Sequence, residues 1–215
     1  MSHAARPAIL IIAGCVLAAL LAWWLLPPVT VLALMDEHGP VEVVTAITYA
    51  LCAAAVWWAR DRAQPATALA VALLLLGFTA RELDLHKIYD GSSMLRASWY
   101  AGAAPLGAKV MVGAIVALFA GALLWLLRRH ARAVWRGCRQ GSPLATTVLL
   151  FVVTALAAKL VDRTGSVLPR EFGIVFTPSQ SAMRFALEES LELALSGLVV
   201  LALVQSRAAR RVGPP

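Results

Sequence analysis

The sequence has little charge, few cysteines and no regular glycine spacing. Only 14% of its 215 residues are Asp, Glu, Lys or Arg, and 60% are hydrophobic; a soluble domain has about 25% charged residues. A soluble domain of this size has too little interior for so many apolar side chains. The high apolar content also excludes a disordered chain, and three cysteines are too few for a disulfide scaffold. The composition therefore predicts a polytopic membrane protein.

Several common functional motifs are also missing. The sequence contains no Walker loop, no dinucleotide-binding G-x-G-x-x-G motif and no H-E-x-x-H motif. Its four histidines do not form the paired ligands within spans that a haem-binding bundle needs. We therefore do not expect electron transfer.

Six segments are apolar enough, at about 20 residues each, to cross a hydrocarbon core of about 30 Å. The predicted spans are residues 7–26, 41–59, 66–83, 106–127, 144–161 and 183–204. We expect an all-α fold, a single membrane domain over residues 1–215 built as a six-helix transmembrane bundle. Thr177, Pro178 and Gln180 have the spacing of a capping box with proline at the first helical position, which predicts that the sixth helix starts before its apolar part and runs for about 28 residues.

The positions of the basic residues predict the orientation. If both termini lie in the cytoplasm, the arginine cluster at residues 128–139 does too, and the loop after the first span has no Lys or Arg. Cytoplasmic loops are enriched in Lys and Arg, so we expect cytoplasmic termini and a multi-pass protein of a bacterial-type inner (plasma) membrane. The cluster itself alternates with apolar residues at helical spacing, so we expect residues 127–138 to lie on the inner surface and contact anionic lipid, not nucleic acid.

Ionisable residues from five of the six spans fall into one layer near the outer surface when depth is counted at 1.5 Å per residue. A charge that faces lipid there costs about 2.5–3.5 kcal/mol. We therefore expect these residues to face inward, into a polar, outward-facing pocket enclosed by spans two to six. The long outer connections are expected at residues 85–105 and 162–177.

The candidate catalytic residues are the acids and the histidine of this layer. They are Glu82, His86, Glu188, Glu189 and Glu192. Helical spacing would make Glu82 and His86 neighbours one turn apart, and likewise Glu188 and Glu192. Such groups can act as a general acid and base, or can ligate a divalent metal ion; a metal cofactor stays open.

The candidate substrate-binding residues belong to the same layer, and their basic members suit a phosphate or carboxylate head group. They are Glu42, Arg81, Asp84, Lys109, Lys159, Asp162 and Arg184.

Three functions follow from such a pocket. The first is a hydrolase or group transferase that acts on a lipid or lipid-linked substrate. The second is a non-catalytic scaffold or partner subunit whose ion pairs are architectural. A transporter is the third and is disfavoured, because the inner halves of the spans have neither an ionisable relay nor a pair of broken helices.

Overall fold

The computed structural model describes residues 3–35, 39–60, 64–87 and 93–212. Over these residues the chain is helical and has no strand. The helices are α1 (Arg6–Leu25), α2 (Pro28–Met35), α3 (Pro40–Trp58), α4 (Pro65–Glu82), α5 (Ala97–Ala101), α6 (Leu106–Arg139), α7 (Pro143–Phe172) and α8 (Pro178–Val212). Short 3₁₀ turns occupy His3–Ala5 and Leu85–Lys87.

Within the described part of the chain, five stretches are long and apolar enough to cross a membrane, which supports the predicted all-helical, multi-pass membrane class. They are Arg6–Leu25, Pro28–Trp58, Pro65–Glu82, Leu106–Arg139 and Pro143–Phe172. The described helical parts of the second stretch are α2 and α3. Among the described residues, α8 covers the sixth predicted span but is not one of the five, and its first half carries four charged residues.

The starts of the helices follow local sequence signals. Proline is the first residue of α2, α3, α4, α7 and α8, where its missing N–H would have no partner and its fixed φ suits the helix. The observed α1, α3 and α4 each differ from the predicted spans by one residue at either end. The capping box before α8 is confirmed: the Thr177 N–H donates to Gln180 Oε1 at 2.9 Å, and the Gln180 N–H donates to Thr177 Oγ1 at 3.3 Å.

Three helices are longer than the sequence predicted. α6 continues without a break to Arg139, α7 continues to Phe172, and α8 runs for 35 residues. The predicted long connection at 162–177 is therefore wrong, since α7 occupies most of it and Gly173, with φ 65°, ends the helix. Hydropathy marks only the apolar part of a helix. The arginines of residues 128–139 have good helix propensity and extend α6. The extension of α7 contains Gly165 and Pro169, which have low helix propensity, and its packing against α8 supports it.

The chain forms two compact units, residues 1–48 with 133–215 and residues 49–132. The prediction of a single domain concerns the whole chain and stays a prediction. In the first unit, α8 packs along α1, α2 and α7. Its core cluster is formed by Ala19, Val31, Met35, Ala182 and Ala186.

Helices α1 and α8 run antiparallel. Near the end of α1, Trp23 Nε1 donates to the carbonyl and hydroxyl oxygens of Ser179, both at 3.1 Å. Near its start, Ile11 lies against Gly197, where an added Cβ would be 3.1 Å from Ile11 Cγ2. The first turns of α1 and the second half of α8 therefore lie at the same end of this unit.

In the second unit, α4 packs against residues of α3 and α6. The Tyr49 ring stacks on Phe78 with centroids 5.3 Å apart. Gly77 faces Phe119 so closely that a Cβ would lie 2.8 Å from Phe119 Cε1. At another point of the same interface, Thr67 Oγ1 is 3.3 Å from His130 Nε2. A small residue in α4 thus lets an aromatic side chain of α6 approach its backbone.

Candidate functional site

The acids of α8 lie in the most enclosed part of the described chain. Between Ala186 and Leu198, buried residues occur on every side of this helix, which is typical of a central helix. Glu188 and Glu192 are 9% and 5% exposed and share one face, one turn apart. Glu189 is half-buried beside them. A carboxyl group in such surroundings requires hydrogen-bonding or charged neighbours.

Arg184 supplies one such neighbour. Its Nη1 lies 2.6 Å from Glu188 Oε2, and both side chains are largely buried. The guanidinium also lies over the Phe185 ring, 4.0 Å from the centroid. On its other side is Gly165 of α7, where a Cβ would be 2.9 Å from Arg184 Cζ. The charge-assisted bond to Glu188 is therefore held within a close α7–α8 contact.

Lys159 and Asp162 form an ion pair on α7, three residues apart. Their surroundings differ from those of the α8 acids, because the Lys159 side chain is 54% exposed. Glu42 lies in the first turn of α3 and is half-buried, a position where the helix dipole favours negative charge. Thr45, one turn further, and Tyr49, two turns further, are buried. The three residues share the face that helical spacing predicted.

Glu82 is the last residue of α4 and is buried. Its Oε1 lies 3.2 Å from Nη1 of the adjacent Arg81. The α-helix ends here, because Asp84 has φ 50° and a 3₁₀ turn follows. The predicted i,i+4 arrangement of Glu82 and His86 is therefore wrong. Asp is one of the few residues that enter the left-handed region readily, which allows the break in a segment of otherwise helix-favouring residues.

Asp84 organises the turn after α4. Its Oδ2 lies 3.0 Å from Lys87 Nζ, and its Oδ1 lies 3.8 Å from His86 Nδ1. The predicted neighbours Arg81 and Asp84 are linked instead through the backbone, where the Asp84 N–H donates to the Arg81 carbonyl at 3.0 Å. The structure thus brings His86 to Asp84 and Lys87.

Lys109 lies near the start of α6. Its Nζ donates to the carbonyl oxygen of Gly102 at 2.8 Å. This bond ties the segment that follows α5 to α6, and the nearby Trp99 is buried with its ring edge-on to Tyr100 at 5.3 Å. Lys109, which the sequence predicts to bind a head group, therefore also has a structural role.

The candidate residues divide between the two units. The first unit holds Glu42, Lys159, Asp162, Arg184, Glu188, Glu189 and Glu192, and the second holds Arg81, Glu82, Asp84, His86 and Lys109. The single pocket expected from the sequence would need both sets, and it stays a prediction. Within the described ranges, no group of three or more His, Cys, Asp or Glu is arranged to hold a metal ion, so no metal site is assigned.

Two residues near the α8 acids were not anticipated. Ser190 is buried between Glu188 and Glu192 in sequence, and Gly165 makes room for Arg184. An isolated glycine inside a helical segment often indicates the close approach of a neighbouring group, so a close contact at Gly165 could have been predicted. The identity of its partner, Arg184, could not, because the two residues lie on different helices.

The chain matches no protein-family model, no curated protein and no solved structure.

Proposed function

We propose that this chain is a six-span protein of a bacterial-type inner membrane, with both ends in the cytoplasm, and that the buried acids of α8 act on a lipid or lipid-linked substrate. The reaction class is hydrolysis or group transfer. The observation that carries the proposal is the burial of Glu188 and Glu192 midway along α8, with Arg184 bonded to Glu188.

The packing of α8 along α1 supports a sixth span. The two contacts with α1, at Ser179 and Gly197, are 18 residues apart in α8, or about 27 Å at 1.5 Å per residue. The same two contacts are 12 residues, or about 18 Å, apart in α1. The helix α8 therefore follows an apolar span over at least about 18 Å of a hydrocarbon core of about 30 Å, which supports α8 as a further span. The antiparallel direction puts Arg6 and Arg207 at the same end, and the enrichment of cytoplasmic segments in arginine favours the cytoplasm for that end.

The depth of Glu188 follows from the same contacts. It lies nine residues from Ser179 and nine from Gly197, about 14 Å from either. An ionised group at such a depth costs at least about 2.5–3.5 kcal/mol, and intramembrane ionisable residues commonly mark substrate or proton paths. Two acids one turn apart, of which one is bonded to an arginine, favour such a function.

The chemistry assigned to these residues is proton transfer and head-group binding. Glu188 and Glu192 are both buried and lie one turn apart on one face, and a pair of neighbouring carboxyl groups can serve as proton acceptor and proton donor. Arg184 lies one turn nearer the start of α8, so an amphiphile that enters from the non-cytoplasmic side meets its guanidinium first. Guanidinium groups bind phosphate and carboxylate oxygens in pairs.

A non-catalytic scaffold is the second candidate. The observation that favours it is the fit of Arg184 against Gly165, because it joins α7 to α8 through a charged side chain. In that case the acids would serve helix packing, and their loss would reduce stability without affecting any reaction.

The test uses the full chain in vesicles of phosphatidylethanolamine, phosphatidylglycerol and a polyprenyl diphosphate, with mass spectrometry of the lipids before and after incubation. We expect new lipid products with the unmodified protein and with the control Glu171→Gln, which alters an exposed acid of α7. Glu192→Gln should form none at unchanged yield. Glu188→Gln should also form none, at a lower yield, because it breaks the buried pair with Arg184. Loss of thermal stability in Glu192→Gln, with no product from any protein, would favour the scaffold.

A further inference from the structure

The last three turns of α6 carry five arginines that the α8 site does not use. They are Arg128, Arg129, Arg132, Arg136 and Arg139, and all are exposed. Steps of four, four and three residues from Arg128 to Arg139 keep four of them on one helix face, and Arg129 borders it. We call this set the arginine stripe. Since residues 91–161 contain no Asp or Glu, no acid of the same helix offsets its charge.

The end of α6 is fixed to the start of α7. Gly137 faces Ala145, where an added Cβ would lie 2.8 Å from Ala145 Cβ. The Gly137 carbonyl accepts a 2.8 Å hydrogen bond from the Ser142 N–H, and Ser142 in turn caps α7. By helical spacing Gly137 lies on the other side of α6 from the arginine stripe. The stripe therefore stays clear of the α6–α7 contact.

This contact also fixes the depth of the segment. α7 has no charged residue from Leu144 to Ala158, and residues 143–172 form one of the stretches able to cross a membrane. The last turn of α6, held against the first turn of α7, therefore lies at the membrane boundary. Beside the stripe, Trp135 and Leu127 are 62% and 48% exposed, and tryptophan is enriched at this boundary.

We propose that the arginine stripe binds the phosphate head groups of anionic phospholipids. The positive charge of the arginine stripe matches the negative charge of such a surface, and a guanidinium group can bind two phosphate oxygens at once. Trp135 and Leu127 enter the region between head groups and acyl chains, which a nucleic acid would not offer. The site is separate from the α8 acids and does not depend on any reaction at them.

The experiment measures lipid association directly. The full chain is reconstituted in phosphatidylcholine bilayers that contain spin-labelled phosphatidylglycerol or spin-labelled phosphatidylcholine, and electron paramagnetic resonance gives the fraction of each label immobilised at the protein. We expect preference for phosphatidylglycerol. In Arg132→Gln/Arg136→Gln/Arg139→Gln this preference should fall by about fivefold or more. Arg128 and Arg129 remain next to the apolar segment in this variant and maintain the orientation.

The matched control is Arg96→Gln/Arg163→Gln/Arg170→Gln, which removes the same charge from three other exposed arginines and should keep the preference. A second measurement needs no variant: raising the salt concentration should weaken the preference of the unmodified protein. Equal association of both lipids with the unmodified protein would overturn the proposal, as would equal losses in the two triple variants. Binding of a labelled oligonucleotide in place of lipid selectivity would also overturn it.

Discussion

Gly165 of α7 lies so close to Arg184 of α8 that a Cβ at position 165 would be 2.9 Å from Cζ and 3.0 Å from Nε. The guanidinium can bond to Glu188 in its observed position only because residue 165 has no side chain. The absence of a side chain at Gly165 in α7 therefore allows the hydrogen bond between Arg184 and Glu188 in α8.

Gly165→Ala should displace the Arg184 side chain and weaken its bond to Glu188. Alanine favours a helix over glycine by about 0.5–1 kcal/mol, so the matched control is Gly14→Ala in α1, where nothing lies within 4 Å of the added Cβ. We expect Gly14→Ala to maintain or raise the free energy of unfolding and Gly165→Ala to lower it by about 1 kcal/mol relative to that control. Denaturant unfolding in detergent measures the free energy of unfolding of both variants. An equal increase in both would show that a Cβ at position 165 does not crowd Arg184.

Arg184→Gln removes the cationic partner of a buried carboxyl group. Breaking a buried pair from one side costs about 3–5 kcal/mol, because the remaining charge loses its compensation. We therefore expect a large drop in the free energy of unfolding, and partial recovery in Arg184→Gln/Glu188→Gln. A double-mutant cycle gives the coupling energy.

The exposed pair Arg170 and Glu171 is the control for this cycle, with an expected coupling below about 1 kcal/mol. Similar coupling energies in the two cycles would show that the Arg184–Glu188 pair behaves as a surface pair.

Trp23→Phe keeps an aromatic ring but removes the indole N–H that Ser179 accepts. We expect a loss of about 1 kcal/mol in the free energy of unfolding and faster proteolysis near the start of α8. Trp24→Phe, which alters a neighbouring and more exposed tryptophan, should change both measurements less. The reverse order would argue against Trp23 as an anchor of α8.

The proposed six-span topology with both ends in the cytoplasm can be tested by labelling single cysteines. After Cys15, Cys52 and Cys138 are replaced by serine, Ala5→Cys and Ala209→Cys should react with an impermeant maleimide only from the cytoplasmic side. Arg170→Cys should react from the opposite side. Labelling of Ala5→Cys and Ala209→Cys from different sides would require an odd number of spans.

The fold was predictable where the signals are local. The bond pattern of Thr177 and Gln180 follows from their spacing alone, and α1, α3 and α4 end where apolar composition ends. The helical spacing of residues 127–138 was predicted, but their continuity with the fourth predicted span in α6 was not, because hydropathy marks only the apolar part of a helix. The break after Glu82 was not predicted either, because the residue types around Asp84 do not indicate its positive φ.

The candidate site was predictable as a set of residues and less so as an arrangement. An acid within an apolar segment stands out from composition, so Glu188 and Glu192 were found. Their neighbours depend on helix packing. No local sequence pattern indicates that α1 lies along α8 or that Gly165 faces Arg184.

The pairing of α1 with α8 has a consequence for biosynthesis. Trp23 and Ser179 are 156 residues apart in the chain, so at about 5–20 residues per second the ribosome needs roughly 8–30 s to supply the second after the first. During that interval α1 is in the bilayer without its eventual neighbour. The acids of α8 are therefore synthesised after α1, the helix along which α8 packs.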